Sequence, residues 1–153
     1  MNTSSILVIG ASGQIGIELV NTLREIHGAN NVVASDIRVA NDKQVVEGGP
    51  WELVNVLEKD VLAHVVNKHK IDTVYNLAAM LSATAEERPD LAWDLNMNGH
   101  FNVLDLAREG KIRKIFWPSS IAVFGPTTPK LHTPQNALCE PTTVYGISKQ
   151  TGE

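Results

Sequence analysis

Short apolar runs and longer amphipathic stretches alternate along this chain. Ser5-Ile6-Leu7-Val8-Ile9-Gly10 is a short apolar run ending in glycine, which predicts a strand buried as in a parallel sheet. From Gln14 to His27, the residues Ile15, Leu19, Leu23 and Ile26 recur at helical spacing and predict a helix. Gly28 to Asn31 breaks it, and Val32 to Asp36 predicts a second strand. Residues 39 to 52 are polar, with no clean period, and predict a loop. Leu53 to Val56 predicts a short third strand, and Asp60 the cap of a helix reaching about His69. Asp72 to Ala79 predicts strand four. One long helix is expected over roughly Pro89 to Arg108, and strand five over Ile112 to Ser119. A proline-rich loop, Gly125 to Pro141, then leads into a helix carrying Tyr145 and Lys149.

This alternation predicts the α/β class, built from right-handed βαβ units. The expected architecture is a Rossmann-like, doubly wound parallel sheet in three α/β/α layers. No internal repeat or linker divides residues 1–153, so one dinucleotide-binding domain is expected. The last helix has only two to three turns before Glu153. A truncated C-terminus is therefore expected, with a sheet edge and an apolar face left uncovered.

Composition narrows the function classes. The net charge is −4 with no basic block, which argues against a nucleic-acid partner. Cys139 is the single cysteine, so no intrachain disulfide or Cys-rich zinc site is available, and a reducing, cytoplasmic setting is expected. The five histidines form no metal-binding pair, and no metal is expected. No apolar run approaches the roughly 20 residues of a membrane span. Strand-like sequence begins at Ile6, so no signal peptide is expected.

The candidate chemistry lies at the ends of the predicted strands. Gly10-Ala11-Ser12-Gly13-Gln14-Ile15-Gly16 follows the first strand and opens a helix. Small residues there let the backbone approach a pyrophosphate, and the helix N-terminus offers free N–H groups. Asp36 ends strand two, 20 residues after Gly16, where a carboxylate bonds an adenosine ribose. A carboxylate would repel a 2′-phosphate, so NAD is expected over NADP. Ile37 adjoins this position, and the nearby Arg38 keeps NADP open. Tyr145 and Lys149 are four residues apart, on one helix face. An ammonium beside a phenol favours the phenolate, which can take a proton from an alcohol.

With Asn76-Leu77-Ala78-Ala79 added, the chain resembles the extended short-chain dehydrogenase/reductases from residue 5 onward. Within them, Met80-Leu81-Ser82, Trp93-Asp94-Leu95-Asn96-Met97-Asn98-Gly99, Pro118 to Pro126, Thr133-Pro134-Gln135 and Thr143 to Lys149 resemble the short-chain type of L-threonine 3-dehydrogenases. The resemblance implies NAD-dependent oxidation of the threonine side-chain hydroxyl to 2-amino-3-oxobutanoate, and a homodimer in the full-length form. It implies a catalytic set of Ser120, 25 residues before the tyrosine, with Tyr145 as base and Lys149 as its partner on the nicotinamide ribose. Ser119 is the neighbouring candidate, with a backbone-ordering role. The resemblance places Asn55 and Val56 beside adenine, where an aspartate is usual in place of Asn55. It places Leu77, Ala78 and Ala79 along the dinucleotide, Ser82 with Ser120 and Tyr145 at the substrate, and Asn96 in a helix behind the site. A UDP-sugar 4-epimerase or dehydratase, or an NAD-binding module without catalysis, stays open.

Overall fold

A computed structural model describes residues 5–153. The chain divides into two compact units: residues up to Ala78 with Gly99–Trp117, and Ala79–Asn98 with Pro118–Glu153.

The first unit holds the sheet. Its strands are β1 (Ser5–Ile9), β2 (Val32–Asp36), β3 (Trp51–Leu53), β4 (Ile71–Asn76) and β5 (Lys114–Phe116). All pairings are parallel, in the order β3-β2-β1-β4-β5. Its helices are α1 (Gln14–His27), α2 (Lys43–Glu47), α3 (Lys59–His69) and α6 (Gly99–Arg108). With the right-handed crossovers general for parallel strands, the order from β1 to β3 puts α1 and α2 on one face, and the return past β1 puts α3 and α6 on the other. Consistent with this, Lys59 of α3 bridges Asp105 (2.8 Å) and Glu109 (2.9 Å) of α6 and its C-terminal flank. The central strands are buried, with Leu7, Val8, Val33 and Val74 at the core, as a sheet covered on both faces requires. The direction in which successive strands are added to the sheet reverses between β1 and β4, where Ile9 lies in register with Asn76. The crevice at such a switch point is where doubly wound sheets take ligands.

The second unit contains α4 (Ser82–Glu87), α5 (Pro89–Trp93), a π-helical turn at Asp94–Asn98, a 3-10 turn at Ile121–Val123 and α7 (Val144–Gly152). Phe124 and Cys139 form an isolated antiparallel bridge.

The strand and helix boundaries show where local pattern misleads. α1 and β2 lie where their patterns put them. Within α1, however, Ile15 and Ile26 are 69% and 68% exposed, and the buried stripe runs through Gly16, Val20, Leu23 and Arg24. β3 starts two residues early, at Trp51, because Trp51 pairs with Ala34, while Val54 is buried beyond the ladder. Residues 39–52 hold α2, capped by the Asp42 carboxylate accepting from Val45 N (3.0 Å). Glu58, not Asp60, is the N-cap residue of α3; Asp60 sits in the first turn, where its charge suits the helix dipole. The helix expected over 89–108 is divided into α5, the π turn and α6, and α4 precedes it. Phe116 of β5 is 51% exposed, with its ring 5.3 Å from that of the partly buried Tyr75 of β4.

Candidate functional site: a dinucleotide cradle and a Tyr–Lys helix

In the first unit the chain leaves β1 through Gly10, whose φ of +85° side chains rarely tolerate. A Cβ there would also lie 3.1 Å from Ala78 N, so the backbone at the end of β4 closes directly on the glycine. Gly10 N and Ala11 N both donate to Ser35 O (3.0 Å each), and Leu77 N donates to Ile9 O (2.9 Å). The turn is thereby fastened to β2 and to β4. Gly13 is the N-cap of α1, with no side-chain cap and no acidic residue in the first turn. The amides opening α1 at Gln14 and Ile15 therefore point out of the helix end without a side chain spent on them. Gly16 closes on the glycine loop itself, where a Cβ would come within 2.7 Å of Ala11 Cα. A side chain would fill this cradle, and a pyrophosphate fits it.

Asp36 ends β2 beside this turn. Its Oδ2 accepts from Ser12 N (3.0 Å) and its Oδ1 from Ile37 N (2.8 Å). Ser12 Oγ donates to Arg38 O (3.2 Å). The carboxylate is thus oriented by two main-chain donors, and each oxygen keeps a lone pair for a ribose hydroxyl. Ile37 and Arg38 are exposed beyond it. Val54 N donates to Asp36 O (2.9 Å), which brings Asn55 close to the end of β2. Asn55 Oδ1 accepts from Leu57 N (3.1 Å) and its Nδ2 donates to Glu58 Oε1 (3.3 Å), so the side chain builds the turn into α3. Val56 is buried, a Cβ on Gly99 would meet its Cγ1 at 2.7 Å, and its carbonyl accepts from Asn102 Nδ2 (2.9 Å). Both residues therefore have packing roles besides any contact with adenine.

In the second unit, α7 carries Tyr145 and Lys149 on one face, with Lys149 Nζ 5.6 Å from the centre of the Tyr145 ring. Lys149 is 3% exposed and donates to Pro118 O (2.7 Å). Burial lowers its pKa from 10.5 to about 8. Ser120 opens the 3-10 turn, and its Oγ accepts from Ala122 N (3.2 Å). A Cβ on Gly146 would lie 3.0 Å from the carbonyl carbon of Ala122, with the carbonyl oxygen nearer still. The Ser120 segment is therefore fastened to α7 on both sides, at Pro118 and at Ala122. Ser119 Oγ donates to the Glu153 carboxylate.

Asn96 lies in the π turn, a helix irregularity frequent at functional sites. Its Oδ1 accepts from Met80 N (2.8 Å), and its Nδ2 donates to Met80 O (3.2 Å) and Ser148 Oγ (3.2 Å). Ser148 Oγ in turn donates to Tyr145 O (2.8 Å). Asn96 thus spends both amide protons on positioning the Met80 segment and α7. Ala79 begins this unit, and Ser82 is exposed as the first residue of α4, not its cap.

Two residues outside the candidate set hold α7. Thr143 Oγ1 caps it by accepting from Gly146 N (3.0 Å), and Glu86 of α4 accepts from Val144 N (2.6 Å). The Thr143 cap has a local signal, a threonine just before the helical run. Glu86, 58 residues away, has none.

Comparison with known proteins agrees with these features. Residues 6–153 match the family model of the NAD dependent epimerase/dehydratase family. An uncharacterised epimerase/dehydratase of Staphylococcus haemolyticus is 49% identical over 148 residues, which are 97% of this chain and 46% of that protein. A partial-consensus L-threonine 3-dehydrogenase is similar in structure with a TM-score of 0.91 at 54% identity, covering 97% of this chain and 47% of that one. The holo form of a GalE-like L-threonine dehydrogenase from Cupriavidus necator has a TM-score of 0.90 at 50% identity, covering 97% and 48%. The chain spans about half the length of the relatives it matches. With its glycine turn, strand-end carboxylate and Tyr–Lys helix, it belongs to the NAD-dependent epimerase/dehydratase family.

Proposed function

We propose that this chain is the cofactor-binding half of an NAD-dependent L-threonine 3-dehydrogenase. The observation that carries this is the Ser120 segment fastened on both sides to the helix bearing Tyr145 and Lys149. The likeness to threonine dehydrogenases at 50–54% identity supports threonine as the substrate.

Gly10, Ser12, Gly13, Gln14, Ile15 and Gly16 would hold the pyrophosphate, and Asp36 the adenosine ribose. Bound NAD supplies the acceptor for the hydride that leaves the threonine Cβ. The Tyr145 phenolate takes the proton of the threonine hydroxyl as the carbonyl forms, giving 2-amino-3-oxobutanoate. The Ser120 hydroxyl holds the substrate oxygen in place for that transfer. The Lys149 ammonium, anchored on Pro118, offsets the phenolate charge. Ser82, at the start of α4, meets the amino-acid end of the substrate.

The test is reduction of NAD by L-threonine, set against interconversion of UDP-galactose and UDP-glucose. It uses this chain alone and this chain completed with the second half of the Cupriavidus necator enzyme. The completed protein should oxidise threonine and leave the sugar nucleotide unchanged. This chain alone should oxidise threonine poorly. Turnover of the sugar nucleotide without threonine oxidation would overturn the proposal.

A further inference from the structure

Among the described residues, Arg24 is the buried arginine of the first unit, and the dinucleotide cradle does not use it. It is 7% exposed, on the inner stripe of α1. Its guanidinium donates to four main-chain carbonyls: Nε to Val32 (3.4 Å), Nη1 to Gln44 (3.3 Å) and Val45 (2.7 Å), and Nη2 to Pro50 (3.0 Å). Gln44 and Val45 belong to α2, a helix of five residues. A helix that short does not stand without outside partners, and its last carbonyls need donors. Arg24 supplies one to Val45 O and joins Gly48 N at Gln44 O. The following strand approach wraps the guanidinium closely, since a Cβ on Gly49 would meet Nε at 2.7 Å.

At the other end of the same segment, Ser12 N and Ile37 N hold the Asp36 carboxylate, and Ser12 Oγ holds Arg38 O. Asp42 caps α2. Residues 37–41 are therefore suspended between the glycine turn and an Arg24-held helix. That segment presents Arg38, the side chain able to pair with a 2′-phosphate, next to Asp36, which repels one.

We infer that Arg24 is a positioning residue that, through α2, fixes residues 37–41 and so sets the preference for NAD over NADP. The inference rests on Asp36 being the ribose carboxylate. Removing the guanidinium takes one donor from each of the four carbonyls; Gln44 O keeps Gly48 N and Pro50 O keeps Ala34 N, while α2 loses the side-chain hold on Val45 O. The Arg38 segment then slackens, and discrimination against the 2′-phosphate falls.

The experiment uses this chain as it stands, with Arg24→Met, Arg24→Lys, Gly49→Ala and Asp36→Ala. Gly49→Ala crowds the guanidinium without removing it, so the test survives if Arg24→Met fails to fold. Residue-resolved amide exchange without cofactor is expected to accelerate at Ser12 and Ile37 by at least about tenfold more than at Val8 and Val33. The ratio of NADP to NAD dissociation constants is expected to fall at least about fivefold. Arg24→Lys, which keeps one donor group, should fall between wild type and Arg24→Met. Exchange that rises equally at all four amides, or an unchanged cofactor ratio, overturns the inference and leaves Arg24 a stabilising residue only. An unchanged ratio in Asp36→Ala instead strikes the ribose assignment, and the exchange measurement still decides whether Arg24 positions the segment.

Discussion

The ammonium of Lys149 donates to the carbonyl oxygen of Pro118 across 2.7 Å, joining the helix of Tyr145 to the segment of Ser120. Lys149 is buried there, and burial brings its pKa from 10.5 to about 8. The unfolded chain, with an ordinary lysine, binds more protons than the folded one between those values. Stability therefore rises with pH from about 8 to about 10.5, and below about pH 8 the buried charge is a cost. Relative to Lys149→Met, the wild-type chain should gain up to about 3 kcal/mol across that window. Urea midpoints of both proteins at pH about 7 and about 10 measure it. A difference that stays constant with pH would contradict the burial of a charged lysine.

Gly146 permits the second fastening, at Ala122. A methyl group at this position has no room beside the Ala122 carbonyl. Gly146→Ala should cost about 1–3 kcal/mol in stability and push the Ser120 segment away from α7. In the chain completed with a relative's second half, kcat should drop while NAD affinity stays near wild type. An equal loss in both would place the damage elsewhere.

Asp36 is oriented by Ser12 N and Ile37 N. Asp36→Ala removes a charged acceptor from the ribose and should weaken NAD by at least about tenfold, the equivalent of one charge-assisted hydrogen bond. It should weaken NADP less. Isothermal titration with both cofactors gives the two constants, and an unaltered preference would argue against the ribose contact.

The parts of this architecture governed by local sequence were legible. The glycine turn after β1, Asp36 at the end of β2 and the Tyr145–Lys149 pair on one face of α7 lie where their spacing along strand and helix put them. α1 has the expected limits, yet its buried face was not legible. Arg24 looks like a solvent residue until the four carbonyls it meets are seen, and those lie 8 to 26 residues away. The same distant contact explains why α2 was hidden in residues 39–52. The π turn at Asp94–Asn98 escaped because a 3.6-residue period does not distinguish one inserted residue. Its consequence, Asn96 turned onto Met80 and Ser148, is a tertiary fact.

Asn96→Leu removes three buried or half-buried hydrogen bonds of the second unit at once. The expected loss is about 3 kcal/mol, visible as a fall in urea midpoint at unchanged slope. Ser148→Ala, which removes one of the three and the bond to Tyr145 O, should cost about 1–2 kcal/mol. Equal effects of the two variants would show that Asn96 works through Ser148 alone.

Tyr145→Phe tests the chemistry most directly. The substitution removes the phenol oxygen and leaves the ring beside Lys149. Threonine-dependent NADH formation is measured in the chain completed with a relative's second half, together with NAD affinity. Turnover should fall by at least about a hundredfold, the scale of a lost general base, with NAD affinity nearly unchanged. Threonine oxidation at the wild-type rate in Tyr145→Phe would contradict the assignment of Tyr145 as the base.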